Sequence, residues 1–138
     1  ETGCATLGAL LATGHALYGQ ESLAEVVALL SRHQALVHVH LNDNYRLTDD
    51  DLIIGTSGFL EFMEMFHWLE RVGYDGWISF DPHPLLEDPV RAITEGFKFT
   101  RGMLAVLARM GREDIDRAIA SGDVTQSLAL VNRHLFGL

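Results

Sequence analysis

Cysteine is almost missing from this 138-residue chain: Cys4 stands alone. A disulfide framework within the chain is therefore excluded, and so is a zinc ribbon, because Cys4 has no CxxC partner. The expected setting is a reducing compartment, the cytoplasm, with Cys4 as a small buried side chain. Basic residues are also scarce. Ten Lys and Arg against 19 Asp and Glu give a net charge of −9. That balance argues against nucleic acid and against an anionic membrane surface as partners, since both require cationic protein surface. No apolar run reaches the roughly 20 residues of a membrane-spanning helix. No basic segment followed by an apolar one opens the chain, as a signal peptide would. An initiator Met is absent too, and the chain is expected to begin inside a longer reading frame. Internal repeats and low-complexity tracts are missing.

What is present is a globular composition, 48% hydrophobic, on a chain long enough for one domain with a sizeable core. Thr6 to Leu11 reads as a short buried strand or a helical turn, since periodicity does not decide over so few residues, followed by a turn over Ala12, Thr13, Gly14 and His15. Leu23, Val26, Val27 and Leu30 recur at helical spacing, with Ser22 as N-cap and Glu25 completing a capping box. A second strand covers Leu36 to Asn42. A second helix starts at Ser57 or Gly58, with Phe59, Phe62, Met63, Phe66 and Leu69 on one side, and stops at Gly73. Trp77 to Asp81 reads as a third strand, ended by Pro82 and Pro84, with Trp77 and Phe80 in the core. Asp88 and Pro89 open a third helix that runs to about Arg109, with Gly96 and Gly102 as places for a bend. Beyond Gly111 the pattern is helical, over 114–120 and 123–136, broken at Ser121-Gly122. Strand–helix alternation implies parallel strands with helical crossovers.

The chemistry concentrates in Leu36 to Gly55, LVHVHLNDNYRLTDDDLIIG. Period-two alternation places Val37, Val39 and Leu41 on one face of the strand and His38, His40 and Asn42 on the other. In a parallel α/β layout the C-terminal ends of all strands lie together. His15 follows the first strand. His40, Asn42, Asp43 and the run Asp49, Asp50, Asp51 follow the second, and Asp81 and His83 end the third. Carboxylates with one or two imidazoles suit Mg²⁺, Mn²⁺ or Co²⁺, and the spacing of Asp49 and Asp51 lets both chelate one ion. Solvated turns with capping aspartates have the same composition, and both readings stand at this point. His38 is expected to pack inside and hydrogen-bond.

Gly14-His15, HVHLNDN at 38–44, DDDLIIG at 49–55 and GYDGWISFDP at 73–82 together resemble the second half of a xylose-isomerase-like TIM barrel. That superfamily includes xylose and rhamnose isomerases, ketose 3-epimerases and an endonuclease IV branch. The resemblance covers about residues 5–100. It implies a partial (β/α)₈ barrel, with the three strands corresponding to strands six to eight, over residues 1–110. A helical C-terminal extension follows over 111–138. It implies His40, Asp49, Asp51 and Asp81 as ligands of a divalent metal (Mn²⁺, Mg²⁺ or Co²⁺). Asp81 and His15 are then the catalytic groups, and His15, Asn42 and His83 the substrate contacts. The DDDL loop leans the resemblance toward isomerases.

Two departures accompany it. The family pattern has an acidic, metal-bridging ligand three residues before the histidine, where this chain has Ala12. A full barrel needs about 250 residues, so five strands and their ligands are lacking. The function implied is metal-dependent aldose–ketose isomerisation of a sugar, by a fragment or by a chain that assembles with another copy as a homo-oligomer. The alternatives are a sugar epimerase or dehydratase of the same superfamily, or a non-catalytic structural remnant.

Overall fold

The computed structural model of the protein describes residues 3–4 and 6–138. Readings that rest on Glu1, Thr2 and Ala5 lie outside the described residues. The chain divides into two compact units, Glu1–Phe99 and Thr100–Leu138. The first contains β1 (Ala9–Ala12), α1 (Thr13–Tyr18), α2 (Leu23–Arg32), β2 (Leu36–Leu41), α3 (Phe59–Arg71) and β3 (Trp77–Phe80). Helix α4 (Pro89–Met110) begins in it and continues past the boundary. The strands form one parallel sheet in the order β1-β2-β3. This is the expected α/β arrangement of a partial barrel, and the sheet is not closed.

Strand pairing defines the two faces. Leu11, Val39 and Ile78 are register partners, as are Leu41 and Phe80. Because partners in register share a side, these residues form one face. Leu11, Val39 and Leu41 are buried on it, with α2 against β1 and β2, and α3 against α2. Phe62, Met63, Phe66 and Leu69 of α3 are buried at helical spacing, together with Leu23 and Val27 of α2. The opposite face carries Leu10, His38 and Trp77 in one row and Ala12, His40 and Ser79 in the next.

Local signals explain most boundaries. The Ser22 hydroxyl accepts from the Glu25 N–H at 3.4 Å, capping α2. The Asp88 carboxylate accepts from the Arg91 N–H at 2.8 Å, and Pro89 stands first in α4, where its missing N–H costs nothing. Gly73 follows α3 at φ +68°, a conformation that glycine adopts without strain. At Gly96 a Cβ would meet Ile53, Ile54 and Phe80 at 3.4 to 3.5 Å, which is ordinary van der Waals contact, so packing does not demand glycine there. Gly96 and Gly102 lie inside one helix, Pro89–Met110.

Four other expectations are corrected. The first strand starts at Ala9, not Thr6, and residues 13–18 form a helix where a turn was expected. Cys4 is exposed, because it precedes the first strand and no element covers it. A hydrogen bond with the Thr6 side chain pulls its thiol pKa down. Trp77 is not in the core but 79% exposed, because its register with His38 puts it on the face opposite the helix-covered one.

The second unit contains α5 (Arg112–Ser121), α6 (Val124–Val131) and a π-helical turn (Asn132–Phe136). Gly122, at φ +66°, ends α5 where the sequence predicted the break. Asp123 caps α6 by accepting from the Thr125 hydroxyl at 2.6 Å and the Thr125 N–H at 2.9 Å. No helix of the described residues is long and apolar enough to cross a membrane.

Two predictions follow from the packing and the cap. Phe62→Ala, at a fully buried position, should cost about 3–5 kcal/mol in chemical denaturation. The hydrogen bonds from the Thr125 side chain and N–H hold the Asp123 carboxyl below its ordinary range. Its capping is therefore complete above the ordinary Asp value of about 3.9 and is lost as pH falls through the lower, folded value. The Thr125 amide shift, followed by NMR, should move only in that acid window, and Asp123→Asn should keep the cap and abolish the transition.

Candidate functional site

The candidate site lies at the C-terminal ends of β1, β2 and β3, and the residues after β2 do most of the building. Asn42 is 1% exposed. Its Oδ1 accepts from the Gly14 N–H at 2.7 Å, and its Nδ2 donates to the Asp51 carboxylate. Its backbone N–H donates to the Thr13 hydroxyl at 3.0 Å, and that hydroxyl donates back to the Asn42 carbonyl at 2.6 Å. The first N–H groups of a helix have no partner within it, and Ala12 at the N-cap of α1 offers no side-chain acceptor. Asn42 supplies it from the neighbouring strand, which is why residues 13–18 form a helix. Gly14 permits the approach, since a Cβ there would fall 2.9 Å from the Asn42 amide atoms.

Asp43 is fully buried and holds the next segment. Its Oδ2 accepts from the N–H groups of Ser57 at 2.7 Å and Gly58 at 3.0 Å, at the start of α3. Its Oδ1 accepts from the Asn44 N–H at 2.9 Å. Backbone hydrogen bonds with Leu52 in both directions close the loop between them. Asn44 donates from Nδ2 to the Gly14 carbonyl at 2.7 Å, tying the loop to α1.

On this frame the polar side chains meet in pairs. His15 Nε2 lies 2.8 Å from Asp49 Oδ2. His40 Nδ1 lies 3.1 Å from Asp81 Oδ2. An ionised carboxylate only accepts, so the second contact places a proton on Nδ1 and leaves Nε2 of a neutral His40 as base or ligand. His38 Nε2 is 2.8 Å from the Ser79 hydroxyl, and its ring stands edge-on to His40 with centroids 4.9 Å apart. The hydrogen bond expected of His38 is therefore present. Asp51 sits at φ +47°, which aspartate tolerates better than most residues. Its carboxylate meets Asn42 while its carbonyl accepts from the His83 N–H at 2.7 Å. The His83 side chain is exposed.

The structure thus brings His15 to Asp49, Asn42 to Asp51 and His40 to Asp81, and links His83 to Asp51 through the backbone. It does not gather His40, Asp49, Asp51 and Asp81 around one point. Among the described residues no group of three or more His, Cys, Asp or Glu side chains could hold a metal ion. Hard divalent ions take six or more ligands, several of them carboxylates or waters. The donors of this chain alone do not fit a resident ion.

Sequence reading missed Thr13 and Ser79 as builders of the site, and placed Asp43 in the polar cluster without its capping role. Asp43 lies 14 residues before the helix it caps, and Ser79 meets His38 only through strand register, so no local spacing signals either.

Asp43→Ala would leave three buried or half-buried backbone N–H groups without their acceptor. It should lower unfolding free energy by about 2–4 kcal/mol, with earlier hydrogen exchange at Ser57 and Gly58 than elsewhere in the unit.

The chain is 35% identical over 75 residues to an uncharacterized protein of Methanocaldococcus jannaschii, a match covering 54% of this chain and 25% of that protein. A crystal structure of a D-tagatose 3-epimerase-like protein superposes with a TM-score of 0.60 at 27% identity. That match covers 75% of this chain and 36% of the other. The chain therefore spans only about a quarter to a third of the length of these relatives. Residues 1–103 match the family described as Xylose isomerase-like TIM barrel, and with that match over most of its length the chain belongs to this family.

Proposed function

We propose that this chain carries part of the active site of a sugar isomerase or epimerase, acting at a carbon next to a carbonyl. The observation that carries the proposal is the His40–Asp81 pair, exposed at the C-terminal end of β2 and β3, with His15–Asp49 after β1 at the same end of the sheet. Sugar hydroxyls suit the paired imidazoles and carboxylates, which can both donate and accept hydrogen bonds.

In aldose–ketose isomerisation the C2 proton leaves to a base, the C1–C2 double bond forms, and the carbonyl oxygen O1 takes a proton. Loss of the O2 proton, with the carbonyl forming at C2, and return of a proton to C1 give the ketose. Asp81, hydrogen-bonded to His40, is the proposed base, and His15 the proposed partner for the oxygen. His83 and Asp49 contact hydroxyls, while Asn42 acts through its hold on α1 and Asp51. The same proton removal from C3 of a ketose, returned on the opposite face, is epimerisation. The likeness to a D-tagatose 3-epimerase-like protein favours that variant. Metal dependence is proposed for the completed site and not for this chain's donors, and no step above uses an ion.

A second reading, a non-catalytic structural remnant, is favoured by Ala12 and by the open sheet, whose free strand edges suit assembly with a second copy. Deuterium wash-in separates the two. The purified chain, incubated in D₂O with a panel of pentoses and hexoses, should exchange hydrogen at the carbon beside the carbonyl of at least one sugar. Asp81→Asn should slow that exchange by about 10²–10⁴-fold with an unchanged circular dichroism spectrum. A folded chain that exchanges nothing overturns proton transfer by this chain's own residues.

A further inference from the structure

We infer that the metal-binding capacity of this sheet end is one donor short, and that the gap lies at Ala12. The inference rests on the site being where the proposed function puts it. It concerns ion binding alone and can fail or hold independently of sugar chemistry.

The sheet register shows the gap. Ala12, His40 and Ser79 are consecutive partners across β1, β2 and β3 and share the face opposite the helices. Neighbouring strands run about 4.8 Å apart, so the Cβ of Ala12 stands beside that of His40. Asp81, two residues beyond Ser79, reaches back to His40 Nδ1 at 3.1 Å. His40 therefore has a carboxylate partner on its β3 side and only a methyl group on its β1 side. The other carboxylates cannot fill that place as they stand. Asp49 is held by His15 and Asp51 by Asn42, and Asp43 is buried at the start of α3.

A carboxylate on position 12 would give three donors around one point, the smallest set from which transition-metal sites with open positions are built. In the native chain the two donors present satisfy each other. An ion would have to displace that hydrogen bond and would gain only two protein ligands. An ion-loaded site therefore requires a carboxylate from outside the described residues, or a change at Ala12.

The test is Mn²⁺ binding, read by the electron paramagnetic resonance signal of the free ion. The native chain should bind Mn²⁺ more weakly than about 1 mM. Ala12→Asp places its carboxylate at the N-cap of α1, where the His15 N–H competes for it. Ala12→Glu, a longer side chain with little capping preference, serves as the second variant. At least one of the two, folded by circular dichroism, should bind one Mn²⁺ at least tenfold more tightly, and adding His40→Ala should remove the gain. The inference is overturned if the native chain binds one Mn²⁺ in the micromolar range. It is equally overturned if neither folded variant gains affinity, or if the gain survives His40→Ala.

Discussion

Asn42 joins segments that lie far apart in the sequence. Its amide accepts from Gly14 at the start of α1 and donates to Asp51 in the loop, while its own N–H and carbonyl hold Thr13. Each of these groups is buried or half-buried, so an unmade bond would carry the full desolvation penalty of a polar group, about 1–3 kcal/mol. Little freedom remains in where His15, at the third position of α1, can stand. The same holds for the turn that presents Asp49 and Asp51. Asp43 repeats the device one residue on, fixing the entry to α3. The polar run Asn42-Asp43-Asn44 is thus the mechanical centre of the first unit, although all three side chains could be mistaken for surface.

The sheet has two different surfaces. One is partly covered by helices, with Leu11, Val39 and Leu41 buried on it. The other carries imidazoles, a serine and an indole. A barrel uses that second surface as its interior, packed in layers by side chains from all its strands. Three strands supply three side chains to each row, and the strand edges at β1 and β3 leave backbone N–H and C=O groups without a ladder. This is the physical sense in which residues 9–80 form part of an architecture and not the whole of one.

Elements with local causes were legible in the sequence. The Ser22 cap, the Asp88-Pro89 start, the stop at Gly73 and the apolar stripe of α3 all depend on residues within a few positions of each other. Alternation separated the buried Val39 and Leu41 from His38 and His40 on the open face of β2, but Val37 is exposed and Asn42 is buried. What escaped depends on tertiary contacts. Helix α1 exists because Asn42, just after β2 and 28 residues from Gly14, caps it. Trp77 looks like a core residue until strand register places it opposite the helices. The candidate site was legible as a convergence of His and Asp at strand ends. Its division into pairs was not, because spacing shows which side chains can meet but not which partner each one takes.

Trp77 gives the open face an optical property. The indole is 79% exposed beside His38, whereas Trp68 on α3 is half-buried with the Arg71 guanidinium 4.9 Å from its ring centroid. An indole in water emits at longer wavelength than one in an apolar contact, and a nearby protonated imidazole quenches it. Any polypeptide that completes the layer over His38 and His40 must take Trp77 out of water. The protein therefore carries its own fluorophore on the surface that a barrel would enclose, and its emission colour distinguishes an open sheet from a covered one without any label.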